Sequence, residues 1–508
     1  MKDSLLTPDA IYELTSAFVE EFEIPGLAIT IVSTDGWEMT RGFGVCELGH
    51  DAPVDASTMF AIASNSKAFL SACFAILVDE GRLTWDDPVV RHLPGFQLFD
   101  SCATDMITIR DVLAHRSGLP AGIGDLMQFP RTDHTLSEIL RALRHFKPDR
   151  GLREGFSYSN CLYIVAGMIL ERISGESWEK FVSSHIFERL GMRDAVANPD
   201  LVADIENRAA RHARLGPPAA GLGPLQQVAA NESPLIGPSG GISASASSLS
   251  AWLRVQLHRG VLVDGSRLWS EARANDMWTP QSIVSQGPGP TPEMPHQSVM
   301  QGYALGWAVA DYRGRRLLTH GGGLIGQSSR VAMLPEQGVG LAILSNSSDA
   351  EPVSGLRYAI LDRLLGVMDY DWRASVRASM QQTESNVIEQ VDLGDFVGPD
   401  GGPTLSLKRY HGRYRDPWYG DLLVNGHGSG LEVQFTRTAA MKSSLEPFGV
   451  DTFRTRFPRG IAEDAVLHFA VEAGAVTGIT LRALSPLADV SFDYKDLNFS
   501  LLVDLHVG

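Results

Sequence analysis

The stretch that decides the fold runs from residue 63 to residue 77 and reads ASNSKAFLSACFAIL. It places Ser64 and Lys67 three positions apart, and the residues after Lys67 are almost wholly apolar. The pattern predicts a buried helix that begins near Ser64 and carries Lys67 one turn further on. Because a buried ammonium group is costly, such a lysine must be paired, take part in function, or have a lowered pKa.

A buried lysine at this spacing can activate the serine. Desolvation favours the neutral amine, which can accept the hydroxyl proton of Ser64, and backbone N–H groups at the helix start favour an oxyanion there. The structural alternative is a capping serine beside a lysine that reaches solvent. Spacing alone decides nothing, because Ser177 and Lys180 repeat it in a segment that predicts a solvated helix face.

Two further clusters combine residue types that carry chemistry. Tyr158 and Asn160 lie at the predicted start of a helix, where the structural alternative is that Asn160 is the helix cap. His320 ends a predicted strand and precedes three glycines, which let a backbone or a ligand approach closely. For that cluster the structural alternative is a glycine-rich turn.

In this order, Ser-x-x-Lys, Tyr-x-Asn and His-x-Gly on a strand resemble the serine β-lactamase and penicillin-binding protein superfamily. The most similar branch holds class C β-lactamases, D-aminopeptidases, alkaline D-peptidases, family VIII esterases and fungal acyltransferases. The similarity extends over about residues 8–370 and includes IPGLA at 24–28, ITIRDVLAHRSGL at 107–119 and GYALGW at 302–307. The later strands resemble the lipocalin-like tail of some D-peptidase relatives.

The resemblance implies a role for each residue. Ser64 is then the acylated nucleophile and Lys67 its general base, while Tyr158 passes the proton to the leaving group and later helps to activate water. The backbone N–H groups of Ser64 and Gly323 form the oxyanion hole. The implied substrate-binding residues are Asn160, His320, Gly322 and Gly323, and the resemblance allows Asn160 to bind either the substrate amide or the lysine. Because His320 stands where β-lactamases have lysine, and histidine at neutral pH binds a carboxylate weakly, we do not expect efficient lactam hydrolysis.

A competing motif must be weighed. The segment Gly237–Gly241 matches the Gly-x-Ser-x-Gly elbow of α/β-hydrolases, and Ser239, Asp311 and His320 follow the triad order of that fold. That fold requires a buried strand before the serine and regular βαβ alternation, and the sequence predicts neither. We therefore expect this segment to form a turn that lines the pocket floor.

The order of predicted elements favours an α+β fold. Strands at both ends of a large helical insertion indicate an antiparallel sheet flanked by helices, with a helical subdomain, over residues 1–370. The resemblance makes this a β-lactamase/transpeptidase-like catalytic domain. Residues 371–407 are polar and predict a linker, and short strands separated by turns over 408–508 predict a small antiparallel β-barrel.

Composition limits the partners. The chain has 508 residues, 44% of them hydrophobic, with 43 Lys and Arg against 60 Asp and Glu. The resulting net charge of −17 argues against nucleic acid and acidic membranes. Four scattered cysteines lack metal-ligand spacing, so neither metal nor cofactor is expected. The sequence shows no signal peptide or transmembrane segment, and we expect a cytoplasmic protein.

These features together predict a serine acyl-hydrolase of the D-peptidase or esterase type. It forms an acyl-enzyme at Ser64 from a small amide or ester, so the expected partner is a small-molecule or short-peptide acyl substrate. One alternative is an acyltransferase or transesterase that moves the acyl group to a metabolite alcohol or amine. A further alternative is a catalytically silent binding or scaffold protein. The sequence leaves open whether the chain forms a homo-oligomer.

Overall fold

The computed structural model describes residues 7–216, 220–394, 401–485 and 488–502. Within these ranges an α+β domain is followed by a closed antiparallel β-barrel, so the predicted fold class is confirmed. In the part of the chain that the structure describes, no helix is both long enough and apolar enough to cross a membrane.

The first part of the chain alternates helices with short strands. Its helices are α1 (Pro8–Glu21), α2 (Ser66–Asp79), α3 (Val89–His92), α4 (Ser101–Met106), α5 (Ile109–Leu113), α6 (Leu136–Ala142), α7 (Asn160–Ser174), α8 (Trp178–Val182), α9 (Glu188–Leu190), α10 (Gly237–Gly240), α11 (Ala246–Leu257), α12 (Glu271–Trp278), α13 (Ala350–Leu365) and α14 (Trp372–Gly394). Its strands are β1 (Gly26–Ser33), β2 (Glu38–Gly44), β3 (Met59–Ala61), β4 (Ala195–Val196), β5 (Arg211–Arg214), β6 (Leu225–Val228), β7 (Ser243–Ser245), β8 (Ser282–Gln286), β9 (Met300–Tyr303), β10 (Ala308–Tyr312), β11 (Arg315–Leu324), β12 (Gln327–Leu334) and β13 (Val339–Ser345).

The main sheet is antiparallel, with the strand order β2-β1-β13-β12-β11-β10-β9-β8. All eight residues of β1 are buried because helices cover both faces of the sheet. Leu27 and Ile29 pack in the core with α1 and α13, whereas Ala28 and Val32 pack in the core with α2 and α11. This alternation is the ordinary period of a strand. In the same sheet, β11 and β12 contact the turn that leads into α2.

The barrel follows the main domain in the chain. Its strands are β14 (Gly412–Asp416), β15 (Gly420–His427), β16 (Gly430–Phe435), β17 (Lys442–Gly449), β18 (Thr452–Arg454), β19 (Ala465–Glu472), β20 (Ala475–Ala483) and β21 (Asn498–Leu501). Buried side chains alternate with exposed ones along most of β14 and with partly exposed ones along β16, and large aromatic residues such as Tyr414, Phe435 and Phe469 fill the interior. A filled lumen is typical of a small barrel.

Helix α14 lies in the segment predicted as a linker. Trp372, Val376 and Met380 recur every four residues and form an apolar stripe, which the polar composition of the segment hides. Val376 packs so closely on α13 that its Cγ2 lies 2.3 Å from where a Cβ on Gly355 would be. The first turns of the helix, up to Met380, are therefore part of the first domain's packed core.

Candidate active site

The nucleophile candidate Ser64 lies in a 3₁₀ turn, Ala63–Asn65, that leads directly into α2. Ala63 has a positive φ of 47°, a conformation that L-residues rarely adopt, so neighbouring contacts must hold the turn. Asn65 supplies one, because its Nδ2 donates to Ser329 Oγ on β12 at 2.8 Å. Ser64 itself is partly exposed and lines a large cavity.

Lys67 is fully buried, and its three donors have three acceptors. Nζ lies 3.1 Å from Ser64 Oγ, 2.8 Å from Asn160 Oδ1 and 2.6 Å from the backbone oxygen of Ser239. Burial lowers the pKa of Lys67 to about 7, although the carboxyl of Asp125 acts in the opposite direction. The lysine that reaches solvent is thus wrong for this position, and a neutral amine beside the serine is accessible near neutral pH.

Tyr158 and Asn160 converge on the same lysine. The Tyr158 ring centroid lies 4.7 Å from Lys67 Nζ, and burial raises the pKa of Tyr158, against the effect of a hydrogen bond with Ser64. Asn160 is not the helix cap, because Ser159 Oγ takes that role by accepting from Leu162 N. This leaves the Asn160 amide to accept from Lys67 and to donate to Asp125 at 2.8 Å.

His320 is only 7% exposed and lies among aromatic rings. Its Nε2 pairs with the hydroxyl of Tyr303 at 2.9 Å, and its Nδ1 pairs with the backbone oxygen of Gly321 at 2.7 Å. A carbonyl can only accept, so Nδ1 carries the hydrogen and Nε2 accepts from Tyr303. Burial, with a further contribution from Lys67, lowers the pKa of His320 to about 3, and the side chain is neutral at physiological pH.

The two predicted glycines, Gly322 and Gly323, differ in their surroundings. A Cβ on Gly322 would lie 2.1 Å from the backbone oxygen of Ile62 and 2.4 Å from Ser329 Oγ, so glycine is needed for β11 to approach the turn that carries Ser64. Gly323 is exposed, has no atom within 4 Å of a Cβ, and lines the cavity together with Ser64. The structure therefore brings all seven predicted residues close to the start of α2.

Sequence reasoning missed Asp125 and His115. Asp125 is a buried acid in a 3₁₀ turn, Asp125–Met127, and burial raises its pKa to about 7. His115 is buried with a positive φ of 54°; its Nδ1 accepts from Ser159 N, and its ring centroid lies 4.2 Å from that of Tyr158. A single acid within the apolar run GIGDLM at 122–127 was the available signal for Asp125.

The cavity in front of Ser64 has a volume of about 1110 Å³ and is lined by both domains. Asn160 and Gly323 line it from the first domain, while Arg459 and Asp489 come from the barrel region. A volume of this size exceeds that of a pocket for a small metabolite and has room for a short peptide.

The competing motifs have structural explanations. Ser239 is buried in α10, where its Oγ donates to Ile236 O at 3.0 Å, and a 3₁₀ turn rather than a strand precedes it. Its backbone oxygen accepts from Lys67, and it lines the cavity, as the prediction of a pocket-floor turn requires. Ser177 caps α8, and the Lys180 side chain is 71% exposed, so this second Ser-x-x-Lys pair is structural.

The antiparallel sheet, the serine at the start of a buried helix and the lysine one turn later define a β-lactamase/transpeptidase-like fold. A family model described as Beta-lactamase matches residues 13–365. The chain therefore belongs to the Beta-lactamase family of serine hydrolases. A second family model, described as a domain of unknown function (DUF3471), matches residues 398–500. This range includes all the barrel strands except Leu501, the last residue of β21.

Relatives and solved structures agree with this assignment. The unguisins hydrolase ungD of Aspergillus violaceofuscus is 28% identical over 451 residues, which are 82% of this chain and 76% of that protein. The octameric penicillin-binding protein homologue from Pyrococcus abyssi is 20% identical with a TM-score of 0.60, and the match covers 97% of this chain and 100% of that one. The D-amino acid amidase from Ochrobactrum anthropi SV3 is 20% identical with a TM-score of 0.55, covering 73% and 99% respectively.

Proposed function

We propose that the protein is a serine acyl-hydrolase that forms an acyl-enzyme at Ser64 from a small amide or ester. The observation that carries the proposal is the buried Lys67 amine, 3.1 Å from Ser64 Oγ, with a pKa lowered to about 7. A base whose pKa lies near the working pH is well suited to deprotonating a serine hydroxyl. The large cavity in front of Ser64 supplies the room for the acyl and leaving groups.

In the acylation step, Ser64 Oγ attacks the substrate carbonyl carbon while its proton passes to Lys67 Nζ. The carbonyl π electrons move to the oxygen, and backbone N–H groups of Ser64 and Gly323 stabilise this oxyanion. Collapse of the intermediate breaks the bond to the leaving group, which takes a proton through Tyr158. Burial raises the pKa of Tyr158, so its hydroxyl enters the reaction in the protonated form and can relay a proton between Lys67 and the leaving group.

In the deacylation step, water attacks the ester carbonyl at Ser64 and gives up a proton towards Tyr158 and Lys67. The ester bond breaks, and Ser64 recovers its proton, so the products are a carboxylic acid and free enzyme. Asn160 keeps Lys67 aimed at Ser64, and the amide is also close enough to the cavity to bind the substrate.

A peptide or amide substrate of the D-peptidase type is favoured over a β-lactam. His320 is neutral at physiological pH, so it offers no cation to a lactam carboxylate. The names of two relatives, an unguisins hydrolase and a D-amino acid amidase, also support hydrolysis over transfer and an amide as the scissile group. An esterase uses the same residues and remains the alternative within this class.

Transfer to a metabolite alcohol or amine differs from hydrolysis only in the acceptor. It would yield the acylated acceptor in large excess over free acid when both water and acceptor are present. A silent scaffold protein would show no covalent chemistry at Ser64 at all.

Intact mass after incubation with a fluorophosphonate probe tests the proposal. The probe should add once to wild type and to Ser239→Ala, and not to Ser64→Ala, because Ser64 Oγ attacks phosphorus and fluoride leaves. Ser239→Ala is the matched control, since Ser239 is also a cavity-lining serine. Labelling that survives in Ser64→Ala, or no labelling of wild type, contradicts the proposal.

A further inference from the structure

A chain of hydrogen bonds leads from the catalytic lysine into the barrel domain. Lys67 Nζ donates to Asn160 Oδ1 at 2.8 Å, and Asn160 Nδ2 donates to Asp125 Oδ2 at 2.8 Å. The same Asp125 oxygen accepts from Ser491 Oγ at 2.9 Å, while its other oxygen accepts from Gln128 Nε2 at 2.7 Å. Ser491 lies 366 residues after Asp125, between β20 and β21 of the barrel.

The barrel also holds the turn that carries Asp125. The buried carboxyl of Asp493 accepts from the backbone N–H of Gly124, and from that of Leu126 at 3.4 Å. A Cβ on Gly122 would lie 2.4 Å from the backbone oxygen of Val490, so the two segments pack directly on each other. A 3₁₀ turn docked this closely leaves the Asp125 carboxyl little freedom to move.

Asp125 is the carboxyl group that acts on Lys67. It is 2% exposed, and it raises the pKa of Lys67 against the larger effect of burial. The other groups that face Lys67 are uncharged at neutral pH, because burial lowers the pKa of both histidines and raises that of both tyrosines; they are His115, His320, Tyr158 and Tyr163.

Other groups around Asp125 make its ionised form costly. Burial is the largest cause of its raised pKa, and the carboxyl of Asp489 acts in the same direction, while Asn160, Ser491 and Lys67 act against it. Burial and Asp125 together raise the pKa of Asp493, and burial raises that of the Cys161 thiol. Hydrogen bonds from Asn160 and Ser491 therefore determine whether this carboxylate persists beside the lysine.

We propose that Asp125 is a positioning residue whose carboxylate, linked to Lys67 through Asn160, offsets the positive charge of protonated Lys67. Ser491 of the barrel holds the Asp125 carboxylate in this position. The inference rests on the proposed function, because it assigns a partner to the base of that reaction. When Lys67 accepts the Ser64 proton, positive charge appears in a buried site, and a carboxylate one amide away offsets it. The barrel thus completes the proton-transfer machinery of the first domain.

The sign of the pH effect follows from this arrangement. A carboxylate near an ammonium group favours the charged lysine, so its removal lowers the pKa of Lys67 further. In Asp125→Asn the neutral base is therefore present at lower pH than in wild type. The rate on the plateau still falls, since the ammonium formed in the transition state has lost its counter-charge.

The test measures the rate of fluorophosphonate labelling of Ser64 against pH for wild type and four variants. The acid limb is the part of the profile in which the labelling rate rises with pH. In Asp125→Asn we expect this limb to move to lower pH and the plateau rate to fall roughly tenfold or more. Ser491→Ala should move the limb in the same direction with a smaller loss, and Ser491→Thr, which keeps the hydroxyl, should restore the wild-type profile. Ser500→Ala, an exposed serine on β21, is the matched control and should match wild type.

Two results separate this inference from the proposed function. If wild type is labelled but the acid limb of Asp125→Asn stays where it is in wild type, the inference is overturned and Ser64 remains the nucleophile. A purely structural role of Asp125 would lower the rate without moving the limb. Wild type that is not labelled overturns both. Should Asp125→Asn not fold, Ser491→Ala decides the matter, and a wild-type profile in that variant overturns the role of the barrel.

Discussion

Lowering the pH from about 8 to about 6 should slow the labelling of Ser64 by about tenfold, because Lys67 becomes protonated in this range. Burial lowers the pKa of Lys67 to about 7. About ten lysines in eleven are then neutral at about pH 8, and about one in eleven at about pH 6. The ratio of the two populations gives the predicted change in rate.

An ordinary lysine gives a different profile. With the reference pKa of 10.5, the neutral fraction would rise about a hundredfold between about pH 6 and pH 8 and keep rising beyond it. His320, with a pKa lowered to about 3, does not titrate in this range. Asp125 does, with a pKa raised to about 7, so the limb belongs to the coupled pair, and the Asp125→Asn variant separates the two groups.

The assay is the pseudo-first-order rate of fluorophosphonate incorporation, followed by intact mass at constant ionic strength. The rate should rise through about pH 7 and level off by about pH 8.5. Lys67→Ala should be slow at every pH and serves as the control for the probe's own pH dependence. A hundredfold rise without a plateau, or a flat profile, would refute the claim that a desolvated Lys67 is the base.

The geometry also predicts effects on stability. Gly322→Ala should lower the melting temperature and slow Ser64 labelling, since its Cβ would lie 2.1 Å from the Ile62 backbone oxygen; Gly323→Ala, with open space at Cβ, should leave melting unchanged. Asp111→Ala should cost about 2 kcal/mol in the free energy of unfolding near neutral pH, because it removes the buried carboxylate that pairs with Arg116 and Arg153 and closes the capping box of α5. Hydrogen bonds lower the pKa of Asp111 below its ordinary 3.8, so this difference from wild type, measured by chemical denaturation, should shrink as the pH falls through that lowered pKa.

The local parts of the site were predictable from sequence. Ser64 and Lys67 are one helical turn apart, so their meeting requires only that the segment be helical, which its apolar run predicts. The capping box of α5 is equally local, because Thr108 and Asp111 exchange hydrogen bonds three residues apart.

The non-local parts were not predictable. Asp125 and Ser491 are in contact only because the barrel packs on the turn at 122–127, and no periodicity in either segment predicts this contact. Asn160 was assigned a capping role as its alternative because asparagine caps helices well, but Ser159 one position earlier satisfies the same donors. Helix α14 was not predicted, because its segment is polar apart from one narrow apolar stripe and has the composition of a linker.

The central claim is that Ser64 carries an acyl group during turnover. The most direct measurement is to mix the enzyme with an activated acetate ester, stop the reaction rapidly during turnover, and analyse the protein by intact mass and peptide mapping. It is made on wild type and on Ser64→Ala. The account predicts one added acetyl group on the peptide that contains Ser64, and none in the variant. Acetate release by wild type with no acetylated protein, or with the acetyl group on another residue, would contradict it.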